Sequence, residues 1–387
     1  FYSDFGARSE GDKNFKSATR DVAKLLGELK AEGVQGVIMD LRNNGGGSLY
    51  EANELTGLFI DKGPVVQVRD ARGQVQVQGD DDPGMAWSGP MAVLVNRGTA
   101  SASEIFSAAI QDYGRGLVIG TQTFGKGTVQ TLIDLNRFAS DTDNKPDFGA
   151  LKMTVQEFFR INGGSTQLRG ITPDIQYPSN GDDKDFGEST YDNALPWTQI
   201  APADYKPVAD MKAYLPQLQQ MHDARVAKSP AWQLMLDELN QYKKLADRTT
   251  ISLNYDQREA ERKQLDAMQA EFRARHKAID GSTADVDDDD QLDDGLNPSE
   301  RSLKSELKEQ EEAKKAPDPQ LQETAHILFD AVGLIDANPK LAAEVLPYGG
   351  KQGDSPSMAA TNGQVSLPAP MVEPGASSPP AAGSSGK

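Results

Sequence analysis

Two short segments of this chain place reactive side chains where a fold can hold them. The first is Arg97-Gly98-Thr99-Ala100-Ser101-Ala102-Ser103-Glu104, between an apolar run at Met91 to Val95 and an amphipathic stretch at Ser103 to Tyr113. A serine at a strand-to-helix turn exposes its hydroxyl. The amides of the first helical turn have no partner inside the helix. With the positive end of the helix dipole, they can stabilise an oxyanion. The second segment is Gly120-Thr121-Gln122-Thr123-Phe124-Gly125-Lys126-Gly127-Thr128-Val129-Gln130. A lysine between two glycines, just before a strand, sits on a tight loop. Its ammonium ordinarily titrates near ~10.4. Desolvation lowers that value and yields a neutral amine able to take a serine proton. Ser–Lys pairs are an established variant of serine–histidine chemistry. Gln130, four residues past Lys126, would orient the amine through its amide oxygen if the strand bends at its glycines.

Both segments have plainer readings. Ser101 and Glu104 fit the capping box S-x-x-E, in which the serine only caps a helix, and Lys126 read by itself is an exposed loop lysine. Gly120 to Lys126 also matches most of the Walker A pattern, a phosphate cradle. The match fails at Gly127, which stands where the metal-binding hydroxyl belongs. It fails again at Thr128 to Leu132, which reads as strand and offers phosphates no helix N-terminus. No bound nucleotide is expected. The three histidines, His222, His276 and His326, all fall in the C-terminal half. A hydrolytic site built from the first half therefore finds its base elsewhere, and lysine is the candidate.

The elements that position these segments follow from periodicity. Ser17 to Ala31 carries Val22, Leu25, Leu26 and Leu29 at helical spacing, closed by Gly33. Val34 to Leu41 reads as a buried strand running into Arg42-Asn43-Asn44-Gly45-Gly46-Gly47, a turn that needs flexible residues. A helix is predicted over Leu49 to Ile60, and a hairpin over Val65 to Arg69 and Gln74 to Gln78. Met91 to Val95, Leu117 to Ile119, Thr128 to Leu135 and Leu151 to Ile161 read as strands. Strands alternating with helices imply an α/β sheet covered by helices. Residues 1–200 are expected to form this core and 201–347 an all-helical domain. Residues 348–387, rich in Pro, Gly, Ser and Ala, are expected to form a disordered tail.

The chain has 387 residues, no cysteine and a formal net charge of −18. Thiol catalysis, disulfides and cysteine zinc sites are excluded, and the charge argues against a nucleic-acid partner. Seven aspartates crowd between Asp285 and Asp294. As EF-hand loops they fail: the loop from Asp285 has Asp290 where glycine is required, and the loop from Asp290 ends on Arg301. A solvated acidic loop is expected. No segment approaches the ~18 apolar residues of a membrane span. The chain begins with Phe1 and its first residues read as a strand end, so a processed product or a piece of a longer chain is expected.

Three stretches resemble the C-terminal processing, or tail-specific, serine proteases: LRNNGGG (Leu41 to Gly47), GTASASEIFSAAIQDYGRGLVIGTQTFGKGTVQ (Gly98 to Gln130) and GGSTQLRGITPDI (Gly163 to Ile175). The run DNALPW (Asp192 to Trp197) and the helical region resemble the larger bacterial members in particular. The resemblance implies a crotonase/Clp-protease-like core and a serine endopeptidase acting near protein C-termini. It puts the nucleophile on Ser101, the general base on Lys126, an assisting glutamine on Gln130, and the oxyanion hole on the amides of Gly47 and Ala102. Asp112 matches a family aspartate expected to satisfy nearby backbone, and Arg42 is expected to help hold the glycine turn. No metal or cofactor is implied. Expected partners are protein or peptide substrates with apolar C-termini, and an adaptor protein on the helical domain. The location implied is the periplasm, in association with the inner membrane. Members usually carry a PDZ-like domain before this core, capturing the substrate C-terminus by strand addition, and nothing here resembles it. The alternative function is therefore a catalytically impaired peptide-binding fragment.

Overall fold

The structure, a computed structural model, describes residues 1–4, 11–12, 14–138, 147–179, 186–280 and 318–346. The aspartate cluster and the expected tail lie outside these residues. In chain order the N-terminal half contains α1 (Ala18–Glu32), β1 (Val37–Asp40), α2 (Leu49–Gly57), β2 (Gly63–Asp70), β3 (Val75–Asp80), β4 (Met91–Val95), α3 (Ala102–Asp112), β5 (Leu117–Gly120), β6 (Thr128–Asp134), β7 (Ala150–Phe159) and β8 (Ile175–Gln176). The helical half contains α4 (Leu215–Val226), α5 (Pro230–Ala246), α6 (Tyr255–Asp280), α7 (Pro319–Ala337) and α8 (Pro339–Val345).

The expected α/β core of sheet covered by helices is present, and among the described residues its strands divide into two sheets. The first is parallel, in the order β1-β4-β5-β8. Every residue of β4 and β5 is buried, which is why these strands read as unbroken apolar runs. The second is antiparallel, in the order β3-β2-β7-β6. Periodicity marks a strand but does not say which sheet it joins. Two predicted boundaries also shorten for local reasons. Val34 donates its N–H to Leu29 O (3.3 Å) and so belongs to the end of α1 rather than to β1. Leu58 and Phe59 donate to Leu55 and Thr56, an i→i−3 tightening that ends α2.

Layering follows from which faces are apolar. One face of the parallel sheet (Val37, Val93, Val95, Val118) packs on Leu26, Leu55, Phe106 and Ile110 of α1, α2 and α3. Ala102, Ile105 and Ala109 of α3 also meet Val66, Val68 and Phe158 of the antiparallel sheet. The helix that starts after Ser101 is therefore sandwiched between the two sheets. The other face of the parallel sheet (Ala92, Leu94, Leu117, Ile119) packs on Leu218, Trp232, Ile327 and Ala331 of α4, α5 and α7. The helical half thus shares a core with the parallel sheet across the boundary expected near residue 200.

A charged cluster is buried in that shared core. Glu323 on α7 accepts from the Arg225 guanidinium (2.8 Å) and pairs with His222 Nδ1 (2.8 Å), while His222 stacks on Tyr177 just past β8. The Arg225 guanidinium and His222 hold the Glu323 carboxyl below the usual range against the opposing effect of burial. Removing Glu323 leaves the buried His222 without its partner, while Arg225 keeps Asp330 (2.8 Å). Glu323→Ala is expected to lower the unfolding free energy by about 3 kcal/mol, read by urea denaturation.

Candidate active site

Ser101 joins β4 to α3 with φ 58° and ψ −116°. A non-glycine residue in this region costs about 1–3 kcal/mol and persists only when its surroundings hold it. They do. Thr99 Oγ1 donates to Leu41 O (2.7 Å), Ala100 N–H to Asn44 O (3.0 Å), and Phe124 N–H to Thr99 O (3.0 Å). Ser101 N–H donates to Glu104 Oε2 (2.8 Å). The capping box that the spacing predicted is present, with Ser101 N–H on the Glu104 carboxylate, although the serine side chain makes no closed cap hydrogen bond of its own. Glu104 N–H goes instead to the Ser101 carbonyl (2.9 Å).

Glu104 has a larger role than its spacing suggested. It is fully buried, and its second oxygen, Oε1, accepts from Thr123 Oγ1 (2.6 Å) and Gly125 N–H (2.8 Å). Oε2 also accepts from Lys126 N–H (3.0 Å). One carboxylate oxygen therefore binds the main chain of both Ser101 and Lys126. The far side of the lysine loop is fixed by Gly127 N–H to Gln167 Oε1 (2.8 Å) and Leu168 N–H to Gly125 O (2.8 Å). Among the described residues no hydrogen bond or ion pair engages the Lys126 amine. Burial lowers its pKa, the charge of Lys152 lowers it further, and Glu188 and Glu104 oppose them.

The glycine turn closes the site. A Cβ on Gly46 would lie 2.7 Å from Ala102 N and 2.9 Å from Ser101 Cβ, so this turn presses directly on the turn that carries Ser101. Gly46 N–H is spent on Asn44 Oδ1 (3.0 Å). Gly47, at φ 144°, is flanked by bonds to Phe1: Phe1 N to Gly46 O (3.2 Å) and Ser48 N–H to Phe1 O (2.9 Å). Gly47 N–H and Ala102 N–H have no partner among the described residues.

Three expected site residues do something different from expectation. Gln130 turns its amide nitrogen to Thr128 Oγ1 (2.8 Å) and Thr154 Oγ1 (3.3 Å), and its side chain makes no bond to Lys126. Asp112 satisfies side chains rather than backbone: it accepts from Arg160 (2.5 Å) and Asn162 (2.8 Å), tying the end of α3 to the end of β7. Arg42 reaches across the chain to Asp318, which caps α7, while also bonding Asp40. It anchors the strand before the glycine turn to the helical half.

Residues 5–177 match the model of peptidase family S41, and residues 181–333 match that of the C-terminal domain of tail specific protease. The chain belongs to peptidase family S41. The S41 match spans Ser101, Lys126 and the glycine turn. A tail-specific protease of Haemophilus influenzae is 46% identical over 276 residues, covering 70% of this chain and 39% of that protein. A chloroplastic C-terminal processing peptidase of Tetradesmus obliquus is 36% identical, covering 42% of this chain and 33% of the relative. The chain thus spans well under half of either relative. The solved photosystem II D1 C-terminal processing protease is 34% identical over 41% of this chain and 38% of its own, with a TM-score of 0.36.

Burial pushes the Glu104 carboxyl up to about 7 against the four hydrogen bonds that favour its ionised form. The folded state then holds more protons than the unfolded one between the ordinary glutamate value of 4.5 and about 7. Stability from this group therefore falls as pH rises through that window. In Glu104→Gln a donating amide faces groups that themselves donate. Loss of about 3 kcal/mol is expected, together with loss of that pH-dependent component, both read by denaturation at pH 5 and pH 8.

Proposed function

We propose that this S41 chain is the catalytic part of a serine endopeptidase that cuts proteins near their C-termini through a Ser101–Lys126 dyad. One observation carries the reading. Among the described residues, Lys126 Nζ, Gly47 N–H and Ala102 N–H have no hydrogen-bond partner around the turn that carries the Ser101 hydroxyl, and acyl transfer requires all of these groups. The names of the Haemophilus and chloroplast relatives support C-terminal processing as the reaction.

Neutral Lys126 takes the Ser101 proton as Oγ bonds to the scissile carbonyl carbon. Gly47 N–H and Ala102 N–H hold the resulting oxyanion. As the C–N bond breaks, the Lys126 ammonium gives its proton to the leaving nitrogen, which releases the new amine and leaves an ester on Ser101. Lys126 then takes a proton from water as that water attacks the ester, and returns it to Ser101 Oγ. Gln130, bonded to Thr128 and Thr154, supports the strand that follows the base. Substrates with apolar C-termini and a periplasmic location complete the proposal. No helix among the described residues is long and apolar enough to cross a membrane.

Because Lys126 must be neutral and its pKa is lowered by burial, kcat/KM is expected to rise with pH to a plateau, with its midpoint below the ~10.4 of free lysine. Ser101→Ala and Lys126→Ala should each reduce cleavage by at least ~10³-fold, read by mass spectrometry of products from a protein with an apolar tail. The impaired peptide-binding reading draws on the lack of a Ser101–Lys126 hydrogen bond, and it is supported if the tail binds wild type and no product forms.

A further inference from the structure

The glycine turn and the nucleophile turn are joined by one residue that has no role in the steps above. Asn44 Oδ1 accepts Gly46 N–H (3.0 Å) and Ser103 Oγ–H (2.8 Å). Its main-chain carbonyl accepts Ala100 N–H (3.0 Å), and its own N–H donates to Leu41 O (3.1 Å). Asn44 thus bonds residues on both sides of Ser101, the base of its own turn, and an amide inside that turn. Ser103 is completely buried, so its hydroxyl needs this acceptor.

The bond to Gly46 has a geometric consequence. An asparagine oxygen that takes the amide two residues ahead forms a closed local turn. Here it withdraws Gly46 N–H from the site and leaves Gly47 N–H unbonded. Close contact of Gly46 with Ala100, Ser101 and Ala102 means that the two turns cannot shift independently.

We propose that Asn44 is the positioning residue of the oxyanion hole, selecting Gly47 N–H over Gly46 N–H and locking the glycine turn against the turn that carries Ser101 and Ala102. This rests on the reading of Ser101 as nucleophile. An oxyanion hole acts through donors fixed before the reaction begins. Without the Asn44 amide oxygen, Gly46 N–H and Ser103 Oγ–H lose their acceptor, and the Gly47 donor loses its fixed direction. The ground state makes no use of that donor, so substrate binding is unaffected.

The test compares the full chain as wild type, Asn44→Ala and Asn44→Ser. Three readouts are taken: kcat and KM on a protein with an apolar tail, affinity for a peptide boronic acid that Ser101 captures as a tetrahedral adduct, and affinity for the cleaved product peptide. For Asn44→Ala, kcat and boronate affinity are expected to fall by ~10²-fold. KM and product affinity should stay within about twofold. Asn44→Ser should recover part of the loss, because a serine oxygen can still accept the amide two residues on. The role is overturned if Asn44→Ala turns over like wild type, or if KM rises and product affinity falls in step with the loss of kcat. If Asn44→Ala does not fold, Asn44→Ser decides: reduced kcat with unchanged KM supports the role, and wild-type kcat overturns it. A wild type that neither cleaves nor binds the boronate better than Ser101→Ala overturns the nucleophile reading and this role together. A wild type that does both while the Asn44 variants match it overturns this role alone.

Discussion

A single buried carboxylate fixes the relation between the two reactive segments. Glu104 sits in the first turn of α3, fully out of water, with Ser101 N–H on one oxygen and Lys126 N–H on the same oxygen. Its other oxygen takes Thr123 and Gly125. A charge in that position is tolerated only because both oxygens are saturated with donors. The need for saturation makes the lysine loop fold onto the serine turn. The strained backbone at Ser101 is sustained by the same bonds, since a residue at φ 58° relaxes unless its neighbours prevent it.

The rest of the fold keeps that arrangement rigid. Helix α3 is packed on both sides, against the parallel sheet through Phe106 and Ile110 and against the antiparallel sheet through Ile105 and Ala109. Its far end is tied to β7 through Asp112 and Arg160 (2.5 Å). The helical half covers the opposite face of the parallel sheet and reaches the strand before the glycine turn through Arg42 and Asp318 (3.1 Å). Membership of family S41 and the match of residues 181–333 to the tail-specific C-terminal domain fit a chain in which both halves support one site.

Much of the candidate site was legible in the sequence because its signals are local. A serine between an apolar strand and an amphipathic helix, and a lysine between two glycines, are marked by their neighbours. The absence of histidine before residue 222 left lysine as the candidate base. Glu104 was visible only as a capping partner, because nothing local shows that a carboxylate receives donors from a loop about twenty residues on. Asp112 was expected on backbone and bonds Arg160 and Asn162 instead, for the same reason. Arg42 finds Asp318 at a separation of 276 residues, beyond any periodicity. Strands β1 to β7 were placed to within a few residues, and the two-residue β8 was not predicted. Their division into two sheets was not foreseen, since alternation reports which side is buried and not which strand is adjacent.

The claim at the centre is that Lys126 activates Ser101 as a neutral base. The most direct measurement is the pH dependence of Ser101 modification by a fluorophosphonate, followed by intact mass in wild type and Lys126→Ala. Wild type is expected to react faster as pH rises, with a midpoint below the ~10.4 of free lysine, and Lys126→Ala should lose that limb and react at a low, flat rate. Equal rates and equal pH profiles in the two proteins would contradict it.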